Sequence, residues 1–562
     1  MPTMTYYRCI MMPLRDGVRL ATDVYLPDRK GRFPVIVIRS PYPGTGVLSS
    51  DALEFCQEGV GMVIQNCRGT ENSEGEADLW RQEKEDGEDF LNWISEQDWF
   101  NGRLVTNGES YPGGTQWQAA RAAHPVMVGL TPHDAPTDVG RVAYFPGGAA
   151  GFGIGAVWSL GMHNKRTGAG LEIGKKTCSL LPLKEMDRLC GFKEDWAFWK
   201  LWTSHSVRDS YWESMNAEKD ISKMTAAAYV TGGWFDIFLP QTLSGFALLR
   251  KNGASRAARE FTRCVIEPLD HDGRPGELDY GPGCYAGVIA LRNRFMKNIL
   301  MDPEQDPLPD QPPLKLFVMG SNRWIESDSW PLPGTEYVNF YLHSGGNANT
   351  LIGDGSLDLQ SPSREESSDR FLYNPLDPVP TAGGNNLTFF PAGQREQSEI
   401  EKRSDVLVYS SAPLEEDLDV IGEVKALIYA SSSAVDTDFT VKLADVFPDG
   451  KVYNVCDGIL RARFRNGPDH EVFLVPGEPA EFLIDCWATG MTFLKGHRIR
   501  VEVSSSNFPR FDRNPNTGHP FGSDSEMKIA RQTVYHDPEH PSRIVLPLFR
   551  PSAGNGNAPQ VH

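Results

Sequence analysis

Asn107-Gly108-Glu109-Ser110-Tyr111-Pro112-Gly113-Gly114 lies between a short apolar run, Leu104-Val105-Thr106, and an Ala-rich helical pattern, Gln116 to Ala123. A serine on a tight strand-to-helix turn points its hydroxyl out of the carboxyl end of a sheet. Small neighbours are required there because the turn brings backbone close to backbone. The helix N-terminus adds free N–H groups and positive potential, which suits a developing oxyanion. Ser110 is therefore the candidate nucleophile. Pro112 stands where the common G-x-S-x-G pattern has its second glycine, so that pattern is not matched; the next glycine, Gly113, comes one position later.

The texture around this turn is a βαβα rhythm. Val35–Ile38 and Gly61–Ile64 read as buried strands, and residues 83–97 as a helix with Phe90, Trp93 and Ile94 on one face. Acidic residues crowd that helix's first turns, where the dipole favours them. Such alternation predicts a parallel sheet covered on both faces. From about 138 to 218 the chain turns Gly-rich, then rich in Trp, Leu and charge, and reads as a mostly helical insertion. The rhythm returns with Ala227–Thr231 and Phe261–Ile266, and a helix over 287–300 carries Val288, Leu291, Phe295 and Ile299 on one stripe. Beyond about 330, runs such as Val406–Tyr409, Lys425–Tyr429 and Arg498–Val503 alternate polar and apolar between Pro-Asp-Gly and Pro-Gly turns. Many short strands with few helices predict a sandwich or jelly roll.

A nucleophilic serine needs a base, and the base a carboxylate to orient it. In α/β-hydrolases the chain order is Ser, acid, His. Thr231-Gly232-Gly233-Trp234-Phe235-Asp236 places Asp236 just past a strand, and Cys264-Val265-Ile266-Glu267-Pro268-Leu269-Asp270-His271 places His271 just past the next. Glu267, Asp270 and Asp272 crowd His271, so the residues alone leave the choice of acid open. His133-Asp134 comes too early for that order. Pro538 between His536 and His540 breaks any helix that would align them as a metal pair.

The chain has 562 residues, with 55 Lys+Arg against 74 Asp+Glu, a formal charge of −19. This opposes nucleic acid or an anionic membrane as partner. No apolar run is long enough to span a bilayer. The first residues lack a signal-peptide pattern, and nine Cys without a CxxC pair suit a reducing compartment. A cytoplasmic location is expected.

The G-x-S-Y-x-G form of the turn resembles the signature of the cocaine-esterase-like and X-Pro dipeptidyl-peptidase-like serine hydrolases (the CocE/NonD family). The resemblance extends over nearly the whole chain. It includes Pro13–Leu20, Arg39-Ser40-Pro41-Tyr42, Arg68-Gly69, Thr115–Ala120, Val435-Asp436-Thr437-Asp438-Phe439, Val446–Gly450 and Ser505-Ser506-Asn507-Phe508-Pro509. It implies an α/β hydrolase core in two parts, 1–137 and 219–330, a helical cap insertion over 138–218, and a C-terminal β jelly-roll domain over 331–562. It also implies a triad of Ser110, Asp236 and His271, and an oxyanion hole of the Tyr42 hydroxyl and the Tyr111 N–H. Trp158, Phe238, Leu387 and Phe389 would wall the substrate pocket. Glu-Pro-Leu-Asp-His before and at position 271 departs from the Gly-Pro-Trp-Ser-His usual in close relatives. The two extra carboxylates, Glu267 and Asp270, are expected to raise the imidazole pKa. Glu109 replaces a commonly small or apolar residue, and with Asp134 it is a candidate for contacting substrate.

The expected chemistry is cleavage of a carboxylic ester in a small molecule through an acyl-enzyme, with no cofactor and no metal needed. Cleavage of an X-Pro or amino-acid amide, biosynthetic acyl transfer or elimination, and a non-catalytic binding role are the alternatives. The sequence leaves the natural substrate open, and the oligomeric state too, a homodimer included.

Overall fold

Strands buried on both faces need apolar residues at consecutive positions, and the runs singled out above meet that need. The computed structural model describes residues 4–46, 49–140, 145–167, 175–192, 195–387, 389–550 and 560–561. Its first sheet contains β1 (Met4–Pro13), β2 (Arg19–Pro27), β3 (Phe33–Ser40), β4 (Gly61–Asn66), β5 (Phe100–Glu109), β6 (Met127–His133), β7 (Ala227–Phe235), β8 (Arg263–Asp270), β9 (Leu314–Val318) and β10 (Arg323–Ser327). They lie in the order β1-β2-β4-β3-β5-β6-β7-β8-β9-β10. From β4 to β9 every neighbouring pair is parallel.

Alternate residues of these strands feed two cores. Val35, Val37 and Val63 pack with Phe90, Ile94, Trp117 and Phe246 on one face. Ile36, Met62 and Val105 pack with Phe55, Phe295 and Ile299 on the other. The helices involved are α1 (Ser50–Gln57), α2 (Glu83–Ser95), α3 (Tyr111–Ala120) and the helices Leu239–Asn252 and Val288–Met301.

The structure extends the sequence reading at two places. The hairpin β1–β2 was hidden because β1 is mostly half-exposed and carries no clean alternation. The Ala-rich helix begins at Tyr111, not Gln116, since Pro112 sits in its first turn, where a missing N–H costs nothing.

Between the halves of the sheet the described chain forms short helices, among them Ser159–Thr167, Ala197–Ser204 and Ser210–Ser214. The C-terminal strands build a second, largely antiparallel 11-stranded sheet. Its longest strand, Leu418–Ser432, pairs with Ala480–Phe493, Ala530–Tyr535 and Arg543–Phe549. The C-terminal part is stitched to the other two. Asp512 accepts a hydrogen bond from the Ala150 N–H at 2.6 Å, and the Asn385 side-chain amide donates to the Trp234 carbonyl at 2.9 Å.

Candidate active site

Parallel register carries the site. Glu109 on β5 pairs with His133 on β6, His133 pairs with Thr231 on β7, and Phe235 pairs with Asp270 on β8. The next residue along each strand is Ser110, Asp134, Asp236 and His271 respectively. Four neighbouring strands thus deliver one chemically active side chain each to the same edge of the sheet.

Ser110 caps α3 with φ 60° and ψ −121°, a left-handed-side conformation that side chains rarely adopt. The sequence around it removes the obstacles to this turn. A Cβ on Gly108 would stand 2.4 Å from Pro112 Cβ, and one on Gly114 would stand 2.2 Å from the Trp80 ring. The His271 Nε2 lies 3.1 Å from Ser110 Oγ, and His271 Nδ1–H donates to Asp236 Oδ2 at 2.5 Å. Asp236 is fully buried, and its other oxygen accepts the Phe238 N–H at 2.7 Å. Asp236 is therefore the carboxylate in contact with the base.

Glu267 and Asp270 do not act on the imidazole as expected. Glu267 accepts the Ala286 N–H at 2.6 Å, and Asp270 accepts the N–H groups of Asp272 and Arg274 at 3.0 and 2.9 Å. These backbone partners hold both in the cavity that Arg292 also lines, away from the imidazole. Burial pulls the His271 pKa down, but Asp236, then Glu109 and Asp272, outweigh it and hold it above the ordinary histidine value.

Tyr42, on the loop after β3, lies within hydrogen-bonding range of Ser110, and burial pushes its hydroxyl up to about 12. The Trp158 indole donates to that hydroxyl at 2.9 Å, so the hydroxyl accepts on the Trp158 side and meets Ser110 on the other. The Tyr111 N–H opens α3, where no intrahelical acceptor exists. Tyr111 is itself locked. Its hydroxyl donates to Glu83 at 2.8 Å and accepts the Trp80 N–H at 2.8 Å, and Arg39 pairs with Glu83 at 3.0 Å.

Around Ser110 the walls are apolar. Trp80, Tyr111, Ile154, Trp202, Phe238 and Leu387 form one cluster, with Tyr42 and Trp158 packed on it. Phe238 also stands edge-on to the His271 ring. Trp158, Phe238 and Leu387 are thus together, whereas Phe389 is 55% exposed and stands outside the cluster. The turn after Leu387 sends its side chain outward. Glu109 and Asp134 line a different space, a cavity of about 270 Å³ shared with His133, Glu267 and Arg292. Burial raises both carboxyls and lowers His133 to about 4. A larger cavity of about 500 Å³ lies between Asp138, Arg208, Trp487 and Arg510 and does not reach the serine.

Three contributors escaped sequence reasoning. Trp80 roofs α3, Glu83 holds Tyr111, and Asn385 of the C-terminal part donates to the carbonyls of Trp234 and Asp236, both at 2.9 Å. Asn385 closes the loop that carries the acid. The only hint of it was its place in the polar run Gly383-Gly384-Asn385-Asn386.

A Ser–His–Asp line at the carboxyl edge of such a sheet, with a tyrosine hydroxyl facing the serine, defines an α/β serine hydrolase. Residues 16–273 match the family model described as X-Pro dipeptidyl-peptidase (S15 family). Residues 308–545 match that of the X-Pro dipeptidyl-peptidase C-terminal non-catalytic domain. The chain belongs to this family, in its cocaine-esterase-like branch: it is 38% identical to the cocaine esterase of Rhodococcus sp. (strain MB1 Bresler) over 96% of this chain and 98% of that one. The same fold, at 24% identity, is found in an aminopeptidase from the marine sediment archaeon Thaumarchaeota archaeon, with TM-score 0.83 over 97% of each chain. An α-amino acid ester hydrolase, also 24% identical, gives TM-score 0.81 over 97% of this chain and 96% of that one.

Proposed function

We propose that the protein hydrolyses carboxylic esters by two-step acyl transfer on Ser110. Ser110 Oγ attacks the carbonyl carbon while His271 Nε2 takes its proton. Asp236 holds the imidazole in the tautomer that presents Nε2 and balances the imidazolium that forms. The Tyr42 O–H and Tyr111 N–H donate to the tetrahedral oxyanion. The C–O bond then breaks, the imidazolium hands its proton to the leaving alcohol, and water repeats the sequence to release the acid. The observation that carries this reading is the single imidazole bridging Ser110 and Asp236 at 3.1 and 2.5 Å.

The apolar cluster beside Ser110 suits an aromatic or aliphatic acyl group. The carboxylates suited to holding a substrate ammonium, Glu109 and Asp134, line the other cavity, which favours esters over amino-acid amides. The division into two core parts, 1–137 and 219–330, with a cap over 138–218 and a jelly roll over 331–562, fits the change of element type along the chain. All nine cysteines are free, most of them buried, which supports action in a reducing compartment such as the cytoplasm. Among the described residues no helix is long and apolar enough to cross a membrane.

The test is labelling with a fluorophosphonate, followed by a panel of aryl esters, alkyl esters and X-Pro amides. The label should sit on Ser110, and turnover should be fastest on esters. Label on another serine, or none on the folded protein, would defeat the reading; faster amide cleavage would replace it with the peptidase one.

A further inference from the structure

We propose that Glu109, His133 and Asp134 form a binding site for one Zn²⁺, and that occupancy represses the hydrolase. The repression rests on the Ser110 reading above; the binding does not.

A carboxylate oxygen of Glu109, a ring nitrogen of His133 and a carboxylate oxygen of Asp134 all lie within 4.8 Å of one another. Two ligands each about 2.1 Å from a tetrahedral zinc sit about 3.4 Å apart, and His133 Nε2 is 3.4 Å from Asp134 Oδ2. The register of β5 against β6 sets this spacing, because it pairs Glu109 with His133. Glu109 and His133 are therefore placed by strands, and Asp134, the first residue past β6, is held by its N–H on the Thr231 carbonyl at 2.9 Å.

The atoms are also short of partners. Asp134 is 3% exposed. Its Oδ1 accepts the Gly233 N–H at 3.1 Å, but among the described residues nothing donates to Oδ2 apart from the His133 contact. His133 Nδ1 bonds Thr231 Oγ1 at 2.6 Å. The Thr231 hydroxyl can either donate to Nδ1 or accept from Nδ1–H; in the second tautomer, the one a cation would select, Nε2 carries a lone pair aimed at a carboxylate oxygen. Two lone pairs facing across a buried gap need a positive species between them, either a proton or a cation. The Glu109 side chain has no hydrogen bond to any described residue and borders the same 270 Å³ space, which has room for an ion with its water and a path to solvent. Four carboxylates against one guanidinium line that space: Glu109, Asp134, Glu267 and Asp270 against Arg292. One imidazole and two carboxylates suit zinc better than Mg²⁺ or Ca²⁺, which prefer oxygen alone.

The coupling to hydrolysis is geometric. Asp134 also lies within 4.8 Å of Asp236 and His271, atom for atom. A dication on Asp134 would oppose the imidazolium that must form as Ser110 attacks, and would compete for Asp236 as its counter-charge. Metal-free protein is then the active form.

The test titrates Zn²⁺ into chelator-stripped protein by calorimetry, and separately measures aryl-ester turnover, each variant relative to its own metal-free rate. Wild type and Ser110→Ala should each bind one Zn²⁺, since the serine is not a ligand. Glu109→Gln and His133→Asn should weaken binding by about tenfold or more. Wild-type turnover should fall about tenfold at saturation, and Glu109→Gln should need correspondingly more zinc. Thermal melts identify any variant that has not folded, and Glu109→Gln, at the solvent side, carries the test if His133→Asn has not. No stoichiometric binding, or binding unchanged in the folded variants, overturns the site and assigns the gap to a shared proton. Tight binding with undiminished turnover overturns the repression alone. If no ester is hydrolysed, the Ser110 reading fails while the binding result still stands.

Discussion

Two buried polar clusters in this protein invite comparison. In the C-terminal part, Arg461 donates to both oxygens of Asp438 at 2.9 Å and to both of Asp512 at 3.0 Å. Arg463 pairs with Asp436 at 2.8 Å, and Asn514 bridges Asp436 and Asp438 at 2.9 and 2.8 Å. Asp438 meets Arg461 in a two-pronged fork, and Asp512 and Asp436 each hold a guanidinium and a further N–H donor. At the edge of the first sheet, Ser110 sits on a strained turn between the His271 imidazole and the Tyr42 hydroxyl, with the N–H of Tyr111, unpaired among the described residues, opening the helix beside it. Burial is common to both clusters. What separates them is that the first is closed on itself, whereas the second leaves donors and a nucleophile aimed at a place where a substrate must be.

That contrast predicts opposite phenotypes. Ser110→Ala should cost at least about 10⁴-fold in kcat, in line with loss of the nucleophile in other triads, with the melting temperature nearly unchanged. Steady-state turnover and calorimetry on one preparation check both. Arg461→Met should do the reverse. Removing the cation strands Asp438 and Asp512 in the interior, a loss of about 3–5 kcal/mol, while the fraction that stays folded should turn over ester at the wild-type rate. A large drop in kcat per folded molecule would show that the network reaches the site, through the Asp512–Ala150 hydrogen bond, and would break the division. Tyr42→Phe belongs with Ser110. It removes one oxyanion donor and should cost about 10²–10³ in kcat, or about 2.7–4 kcal/mol, with KM little changed.

The same contrast explains what could be read from sequence. Val35–Ile38 and Gly61–Ile64 are unmistakable because a strand buried on both faces must be apolar throughout. Ser110 was legible because Gly108, Gly113 and Gly114 are explained by nothing but close approach. Asp236 was not separable from Glu267, Asp270 and Asp272 by local pattern. The choice depends on the β7–β8 register, which no single strand encodes. Tyr42 entered only through the family resemblance, since a tyrosine after a strand has no local mark of an oxyanion donor. Trp80, Glu83 and Asn385 reach the site from other parts of the chain. His133 and Asp134 fail as triad members on chain order, which left Asp134 only as a candidate for contacting substrate; chain order is silent about what stands beside a triad. Conversely, Val435-Asp436-Thr437-Asp438-Phe439, part of the family resemblance, supplies Asp436 and Asp438 to the Arg461–Arg463 network and no residue to the Ser110 site.

The smallest expected effect probes the exception in the C-terminal part. Glu401 pairs with Arg500 at 2.7 Å, yet burial, then the nearby Glu502, pushes its carboxyl up to about 7. Glu502 is itself matched with Lys442 at 2.9 Å, and one oxygen of each glutamate lacks a hydrogen bond. An acid whose folded pKa lies above its unfolded value binds more protons when folded. Between the ordinary glutamate range and about pH 7, stability therefore rises as pH falls, and above about 7 the full cost of the buried charge is present. The slope is at most about 1.4 kcal/mol per pH unit for one such group. Glu401→Gln should remove it: the mutant should melt higher than wild type at pH 8, and the gap should close by pH 5. A gap that stays constant across that range would mean Glu401 is ionised throughout. The Glu401–Arg500 pair would then behave as a closed ion pair like those of Arg461, and the comparison with the serine site would extend to it.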